Sequence, residues 1–149
     1  MSLRLSRAAR AALTLTLGLA PVAFVACDGG TDQLPPDPTP TAIEVAGTWT
    51  SNFGGTETIT STVWAGTPVV KFDNTANRAF LRNPDDAMFN PGTFARVVWT
   101  EPNAGAFFYC WVDFGLPTLE AAETSTQAAD PTAPDVGGCG GFSWTRLSR

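Results

Sequence analysis

The sequence predicts an all-β fold, a small antiparallel barrel or sandwich of 6-8 strands with one short helix. The chain has 149 residues, which suits one ordinary domain. From residue 43 onward, short runs of β-branched and aromatic residues alternate with the Gly, Pro, Asn and Asp residues that favour turns. Short apolar runs at this spacing are typical of antiparallel barrels and sandwiches. The stretch of about 107 residues is long enough to bury a core.

Each predicted strand is an apolar or alternating run bounded by turn residues. The first run alternates, with Val45, Trp49 and Phe53 on one face. Gly54-Gly55 separates it from the second run and predicts a hairpin. A weakly helical stretch, 116–126, has Pro117 near its start, where proline is tolerated. The predicted strands, in chain order, are 44–53, 56–64, 69–72, 78–81, 94–101, 106–114 and 142–147.

The composition excludes several classes of function. The chain has no histidine, which excludes catalysis and zinc sites that depend on imidazole. Without the arginines of the leader described next, 6 basic and 14 acidic side chains remain, a net charge of −8. Such a surface repels phosphate backbones, so we expect no nucleic-acid partner. The chain also has no glycine-rich phosphate loop of the kind that binds nucleotides. We expect no enzyme activity and no cofactor.

Residues 1–26 have the layout of a secretory signal peptide. Arg4, Arg7 and Arg10 form a positively charged start, and residues 11–26 are uncharged and mostly apolar. This apolar stretch is shorter than the roughly 20 residues that a membrane-spanning helix needs. We therefore expect residues 1–26 to be a cleaved signal, 27–42 to be a linker and 43–149 to be the β domain.

The end of this leader, Phe24-Val25-Ala26-Cys27, resembles the lipobox of bacterial lipoproteins, in which Leu usually stands at the position of Phe24. The resemblance implies cleavage before Cys27 and a diacylglycerol on its thiol. Two or more acyl chains anchor a protein stably to a bilayer. We therefore expect an envelope protein that is lipid-anchored to the inner or outer membrane of a bacterium, with the membrane as its partner. Asp28 signals inner-membrane retention in some lineages, which leaves the choice of membrane open.

The linker, 27–42, contains four prolines within six residues and has almost nothing to bury. Proline-rich segments favour extended polyproline II, which rises about 3.1 Å per residue. The linker could therefore hold the domain roughly 40–50 Å from the bilayer. The alternative is a disordered N-terminal segment with no spacing role.

The three cysteines would leave one unpaired in a secreted chain. If Cys27 carries lipid, Cys110 and Cys139 remain as a pair in an oxidising compartment. The segment between them holds the weak helix and a loose polar stretch, which a disulfide would restrain. A redox or metal pair is the alternative, but the chain has neither a C-x-x-C motif nor histidine. We predict a structural disulfide and no metal site.

The run from Phe107 to Val112 is almost continuously aromatic or apolar, and neighbouring side chains on a strand point to opposite faces. If Cys110 faces inward, then Phe107, Tyr109 and Trp111 form an outward aromatic row, which is a candidate ligand-binding surface. The reverse register exposes the other row. Either the stretch 116–126 covers the outer face, which we favour, or an aromatic patch is open to a partner.

Gly47-Thr48-Trp49 resembles the Gly-x-Trp signature of lipocalin and avidin-like barrels. In those families the tryptophan closes the barrel floor, often under a basic residue from late in the chain, a part that Arg146 could play. The residues after Trp49 lack the polar pattern that binds biotin in avidins. The wider pattern, including the ending Gly-Gly-Cys-Gly-Gly-Phe-Ser-Trp-Thr, looks like bacterial lipoproteins of no characterised activity.

Few side chains suggest catalysis. Asp85 and Asp86 are the only adjacent carboxylates, and Asn83-Pro84-Asp85-Asp86 is better explained as a solvated turn. Asp113 lies among aromatic residues, where we expect a salt bridge to Arg96 or Arg78. An enzyme would need these three carboxylates to meet in one cleft. We therefore favour a non-enzymatic binding or interaction module for a protein or a small apolar ligand. The alternative is a lipocalin-like barrel with an apolar cavity of roughly 300 Å³ or more.

Overall fold

The computed structural model describes residues 41–149. The predicted signal peptide, Cys27 and most of the predicted linker lie outside the described residues. The strands are β1 (Gly47–Ser51), β2 (Thr56–Ile59), β3 (Val63–Trp64), β4 (Thr67–Asp73), β5 (Arg78–Arg82), β6 (Phe94–Trp99), β7 (Ala106–Leu116) and β8 (Thr145–Ser148), and the helix is α1 (Leu119–Thr124). No helix in this part of the chain is long and apolar enough to span a membrane.

The strands close into an antiparallel barrel in which each strand pairs with its neighbours in sequence. The ring closes where β1 meets β8, with Thr50 opposite Ser148 and Ser51 opposite Leu147. Closure gives the first and last strands a partner, so edges stay exposed only where one strand extends beyond its neighbour. The prediction of an all-β fold with one short helix is confirmed, and of the two architectures it is the barrel that forms.

The predicted second strand, 56–64, is divided into β2 and β3. Thr60 Oγ1 accepts hydrogen bonds from the backbone N–H groups of Thr62 (3.2 Å) and Val63 (3.0 Å). A threonine that binds backbone groups just ahead of it forms a local turn that competes with the extended ladder. The Thr- and Val-rich stretch therefore makes a tight hairpin, which raises the strand count to eight.

The last strand begins at Thr145, later than the predicted residue 142. Cys139 and Phe142 exchange backbone hydrogen bonds of 3.0 and 2.9 Å in an isolated antiparallel bridge. Trp144 N then donates to Pro134 O at 2.8 Å. These local bonds use the backbone groups that would otherwise extend β8.

Aromatic side chains fill the barrel interior. Trp64 lies between Trp99 and Tyr109, with ring centroids 5.7 and 5.3 Å away. Trp49 meets Phe107 edge-to-face at 4.9 Å. Aromatic pairs prefer such tilted and T-shaped arrangements, and each buried ring removes about 150–250 Å² from water. The other fully buried members of this core are Ile43, Val45, Ile59, Ala79, Leu81, Val97 and Leu147.

The expectation that Phe53 shares the inward face of Val45 and Trp49 is wrong. β1 ends at Ser51, and Ser51 is the next inward residue after Trp49. Phe53 lies in the turn that follows, where its N–H donates to Ser51 Oγ at 3.3 Å, and it is 69% exposed. The strand alternation stops at the turn, so the pattern cannot be extended across it.

α1 and the chain that follows it cover the outer face of β5, β6 and β7. Thr118 caps the helix, since its side chain accepts a hydrogen bond from Ala121 N. Ala122 of α1 and Phe80 on the outer face of β5 are both buried. The prediction that the stretch 116–126 covers this face is confirmed.

The predicted disulfide between Cys110 and Cys139 is present. Gly138, next to Cys139, makes a close backbone approach to Asp130: a Cβ added at Gly138, where φ is +89°, would collide with the Asp130 carbonyl oxygen. Asp130 N donates to Gly138 O at 2.8 Å, so Gly138 lets two backbone segments of the covering chain pair.

Candidate functional site

One end of the barrel is closed by Trp49, and we call this end the floor. Trp49 Nε1 donates to Val45 O at 2.9 Å, and the Arg149 guanidinium lies 4.2 Å from the ring centroid of Trp49. Arg149 Nη2 also donates to Ala46 O at 3.0 Å. A Cβ added at Gly47, where φ is +145°, would lie 2.6 Å from Arg149 Nη2. The glycine of the Gly-x-Trp motif therefore leaves space for the guanidinium.

The expected partner of Trp49, Arg146, is wrong by three residues. Side chains on β8 alternate, and Leu147 is buried in the core. Arg146 consequently points outward and is exposed, whereas Arg149 has the same parity as Leu147. The basic residue over the tryptophan comes from the end of the chain, but only the register of β8 determines which one it is.

The opposite end of the barrel carries most of the exposed apolar side chains, and we call it the apolar rim. In an up-and-down barrel the β1–β2, β5–β6 and β7–β8 connections emerge at the same end. Seven large hydrophobic side chains are exposed within the described residues, and five of them lie on the β1–β2 or β5–β6 connection, near the end of β7 or just before β8. The other two are Val70 on β4 and Val136 in the middle of the long β7–β8 connection. The five residues of the apolar rim are Phe53, Met88, Phe89, Phe114 and Phe142.

A groove of about 510 Å³ opens beside Trp111 at this end, and we call it the Trp111 groove. Trp111 and Phe114 stack across it with ring centroids 5.7 Å apart and planes inclined by 12°. No charged side chain lines the groove. Its other lining residues are Tyr109, Cys110, Val112, Gln127, Ala128, Cys139, Gly140, Phe142 and Thr145. Its size is in the range of small-ligand sites, and its lining is mainly apolar.

Of the two registers that alternation along β7 allows, the one that would turn Phe107, Tyr109 and Trp111 outward does not form. Phe107 and Tyr109 point into the barrel with 1% and 6% exposure, and Trp111 packs partly against the same core. Cys110 belongs to the opposite row, because its disulfide partner comes from the chain that covers the outer face. The disulfide therefore requires the register in which Cys110 faces outward and Phe107 and Tyr109 face inward. Of the three aromatic residues, Trp111 alone stays partly exposed.

Glu57 on β2 points into the barrel directly opposite Trp49 of β1, with the same parity as buried Ile59. Tyr109 Oη lies 2.9 and 3.0 Å from the two oxygens of the Glu57 carboxylate, to which it donates. Burial raises the pKa of the Glu57 carboxyl, and the hydrogen bond from Tyr109 opposes part of this rise. Burial and the neighbouring carboxylate also raise the pKa of the Tyr109 phenol. The phenol is therefore a stable donor next to a carboxylate that is costly to charge.

Asp113 forms the predicted salt bridge, and its partner is Arg96. The Asp113 Oδ2–Arg96 Nη2 distance is 2.8 Å, and both side chains are about nine-tenths buried or more. Ser125 Oγ donates to Asp113 Oδ1 at 2.9 Å, while Arg96 Nη1 donates to the Ser125 carbonyl oxygen at 3.0 Å. Arg96 also donates to the carbonyl of Gln127. This ion pair fastens the chain after α1 to the outer face of the barrel.

Asp85 and Asp113, two of the three carboxylates that the sequence singled out, are held in separate ion pairs. Asp85 pairs with Arg82 at 2.6 Å on the β5–β6 connection, and its side chain is 80% exposed. Asp113, by contrast, is enclosed in the buried ion pair. Within residues 41–149, no group of three His, Cys, Asp or Glu side chains is placed to hold a metal ion.

The fold and the site together define a class: a closed eight-stranded antiparallel barrel with a packed aromatic interior and an apolar groove at one end. Comparison with protein-family models, with curated proteins and with solved structures found no match.

The sequence analysis missed two side chains of the Trp111 groove, Phe114 and Phe142, and the inward carboxylate of Glu57 outside the groove. Glu57 lies in a Thr-rich run that the analysis treated only as a strand, although a charge at an inward position is a signal of a polar site. Phe114 and Phe142 were counted as strand residues rather than as exposed side chains. Phe142 follows a glycine pair, and this turn signal could have identified it as a loop residue.

Proposed function

We propose that this chain is a non-enzymatic binding module of the bacterial cell envelope, anchored through lipid on Cys27. Its partner would be bound at the apolar rim and the Trp111 groove. The observation that carries the proposal is the concentration of exposed hydrophobic side chains at the end of the barrel opposite the floor. Contiguous exposed apolar surface on a water-soluble fold commonly marks an interaction site.

The position of the chain's entry into the barrel supports the same function. Residues 41–46 lead into β1 at the floor, where Val45 and Ala46 contact Trp49 and Arg149. A membrane anchor placed before residue 41 would therefore attach at the floor. The apolar rim lies at the other end and would be presented away from the point of attachment.

The anchor is tested by intact mass and detergent partitioning of the chain expressed in a bacterial host, beside Cys27→Ser. The proposal expects a mass increase matching acylation and partitioning into detergent, both abolished by the substitution. An unmodified product that stays in the aqueous phase would contradict the anchor. It would also leave Cys27 as an unpaired thiol, which a thiol titration would detect.

The binding surface is tested with Nile red, a neutral dye that fluoresces in apolar sites. The proposal expects Phe114→Ser and Phe142→Ser each to weaken dye binding several-fold. Val136→Ser is the matched control, since Val136 is 81% exposed but lies outside the apolar rim and the groove. Equal dye binding by all three variants would contradict the assignment of the site.

The packed interior of the barrel argues against a lipocalin-like central cavity. Trp64 packs against Trp99 and Tyr109, and Trp49 packs against Phe107, so aromatic rings occupy the space that such a ligand would need. A small apolar ligand of this protein would bind in the Trp111 groove instead.

A further inference from the structure

β7 is longer than the strand that pairs with it at the barrel seam. β8 pairs with β7 only from Ala106, opposite Ser148, to Tyr109, opposite Thr145. β7 continues to Leu116, and within residues 41–149 no strand pairs with this continuation on the β8 side. At about 3.3 Å per residue, the unpaired edge is roughly 20 Å long. We call it the free edge of β7.

The direction of the backbone groups follows from two hydrogen bonds that flank the strand. Thr100 N donates to Phe108 O, so the even-numbered residues at this part of β7 direct their backbone groups toward β6. Arg149 N donates to Gly105 O, so the odd-numbered residues direct theirs toward β8. Trp111 is the first odd-numbered residue beyond the end of β8. Its N–H and C=O therefore face the free edge.

The chain around the free edge does not take up these groups. None of the backbone hydrogen bonds that the described loops make reaches Trp111. Cys139 Sγ lies 4.0 Å from the Trp111 carbonyl oxygen, but a disulfide sulfur has no proton to donate. One donor and one acceptor of the backbone are thus directed into the side of the Trp111 groove.

The groove beside this edge selects for a particular chemistry. Its lining is mainly apolar and aromatic, without a charged side chain. Carboxylates outnumber basic side chains in the described residues, and most of the basic side chains already bind a carboxylate. The paired basic residues are Lys71, Arg78, Arg82 and Arg96. An occupant that is apolar at its centre and basic at its flanks complements this surface.

We propose that the free edge of β7 at Trp111 binds an extended peptide segment of a partner protein as an added strand. Alternate side chains of the peptide, aliphatic or aromatic, enter the Trp111 groove, and lysine or arginine flanks them. An extended peptide supplies both the acceptor and the donor that Trp111 presents, whereas an acyl chain supplies neither. This inference rests on the proposed function and names the class of partner for the same site.

The experiment is selection of phage-displayed random ten-residue peptides on the full-length protein, followed by synthesis of the selected peptides. Each peptide is compared with two analogues, N-methylated at its even or at its odd positions, which removes the N–H donors from one edge at a time. Added-strand binding predicts that one analogue loses affinity about tenfold or more, while the other retains it. Peptides whose two analogues bind equally well would overturn the inference, because side chains alone would then hold them.

Hydrogen exchange supplies an independent readout on the protein itself. The Trp111 amide faces the free edge, so the inference expects it to exchange quickly without peptide and to become protected when peptide binds. The Cys110 amide faces β6 and should be protected throughout. Protection of Trp111 without peptide, together with a dimer in sedimentation, would overturn the inference, since a second copy would then occupy the edge.

Two variants separate this inference from the proposed function. Phe142→Ser removes a groove side chain and should weaken binding of the selected peptides. Phe53→Ser changes a similarly exposed residue of the apolar rim that does not line the groove, and it should leave peptide binding unchanged. If selection yields no peptide but Nile red still binds at the apolar rim, the inference fails and the proposed function stands. If neither peptide nor dye binds, both fail.

Discussion

The guanidinium of Arg149 lies 4.2 Å from the ring centroid of Trp49 and closes one end of the barrel. The same guanidinium donates to the Ala46 carbonyl oxygen, so it links the last residue of the chain to the segment that leads into β1. Trp49 is 4% exposed, and the rings of Trp49 and Phe107 pack edge-to-face. The contact therefore joins both ends of the barrel domain through one tryptophan.

Arg149→Ala is expected to lower the free energy of unfolding by about 1–2 kcal/mol, because it removes both the cation–π contact and the hydrogen bond to Ala46. Urea denaturation followed by circular dichroism would measure this change. Arg146→Ala is the matched control: Arg146 is exposed on the outer face of β8, and its loss should change stability by less than about 0.5 kcal/mol. A larger effect of Arg146→Ala than of Arg149→Ala would reverse the assignment.

Replacing both Cys110 and Cys139 with alanine is expected to cost about 3.5 kcal/mol, since the disulfide closes a loop of 29 residues in the unfolded chain. Urea denaturation of this variant, beside the unreduced parent, would measure the loss. Cys27→Ser should leave the unfolding midpoint of the domain unchanged. A parent that unfolds identically with and without reductant would contradict the stabilising role of this bond.

Asp113→Asn is expected to destabilise the domain by about 3–5 kcal/mol, because it leaves the buried Arg96 guanidinium without its counter-charge. Asp85→Asn breaks an ion pair of the same kind, Asp85 with Arg82, on an exposed connection, and should cost less than about 1 kcal/mol. Thermal unfolding of the two variants under the same conditions makes the comparison. Similar losses for both would show that burial does not govern the strength of the Asp113 pair.

Glu57→Gln is expected to change the pH dependence of stability. The pKa of Glu57 is raised in the folded state from its ordinary value of 4.5. The contribution of Glu57 to the stability of the fold is therefore fully present below pH 4.5 and is lost as pH rises through the folded-state pKa. Glutamine cannot ionise and still accepts a hydrogen bond from Tyr109. The stability of Glu57→Gln relative to the parent should therefore increase with pH above 4.5, as measured by urea denaturation at a series of pH values.

Tyr109→Phe provides the complementary test of this pair. Without the hydroxyl, the Glu57 carboxylate loses a hydrogen-bond donor, so the pKa of Glu57 in the folded protein should rise further. The loss of stability should then begin at the same pH, which is set by the Glu57 pKa in the unfolded chain, and extend to higher pH. NMR titration of the Glu57 side chain in the parent and in Tyr109→Phe would show the direction. A fall in the Glu57 pKa in Tyr109→Phe would contradict the assigned hydrogen bond.

Several elements of the barrel could be predicted because their cause is local. The hairpin at Gly54-Gly55 and the turn before β7 depend on residues adjacent in sequence, and the strands on either side follow from alternation. The disulfide could be predicted from cysteine number once Cys27 was set aside. A salt bridge of Asp113 could be predicted because a charged residue lies among aromatic residues. Its partner is Arg96 rather than Arg78 because the pairing of β6 with β7 places Arg96 opposite Asp113.

The candidate site was predicted less well, because its orientation depends on contacts between distant segments. Alternation along β7 allows either Phe107 and Tyr109 or Phe108 and Cys110 to face inward. The position of the covering chain, attached at Cys139, determines that Cys110 faces outward. Trp111 then becomes the last aromatic residue of the inward row, at the point where β8 has ended. No local pattern contains that information.

The sequence by itself determined the fold class, the pairing of the two domain cysteines and the classes of chemistry that the composition excludes, since each depends on residue type and spacing along the chain. Only the tertiary structure decided that the sheet closes, that Arg149 rather than Arg146 covers Trp49, and that β7 continues past the end of β8 beside an apolar groove. The physical reason is register: a shift of one residue between two strands turns every side chain to the other face. Register is set by the packing of the whole barrel.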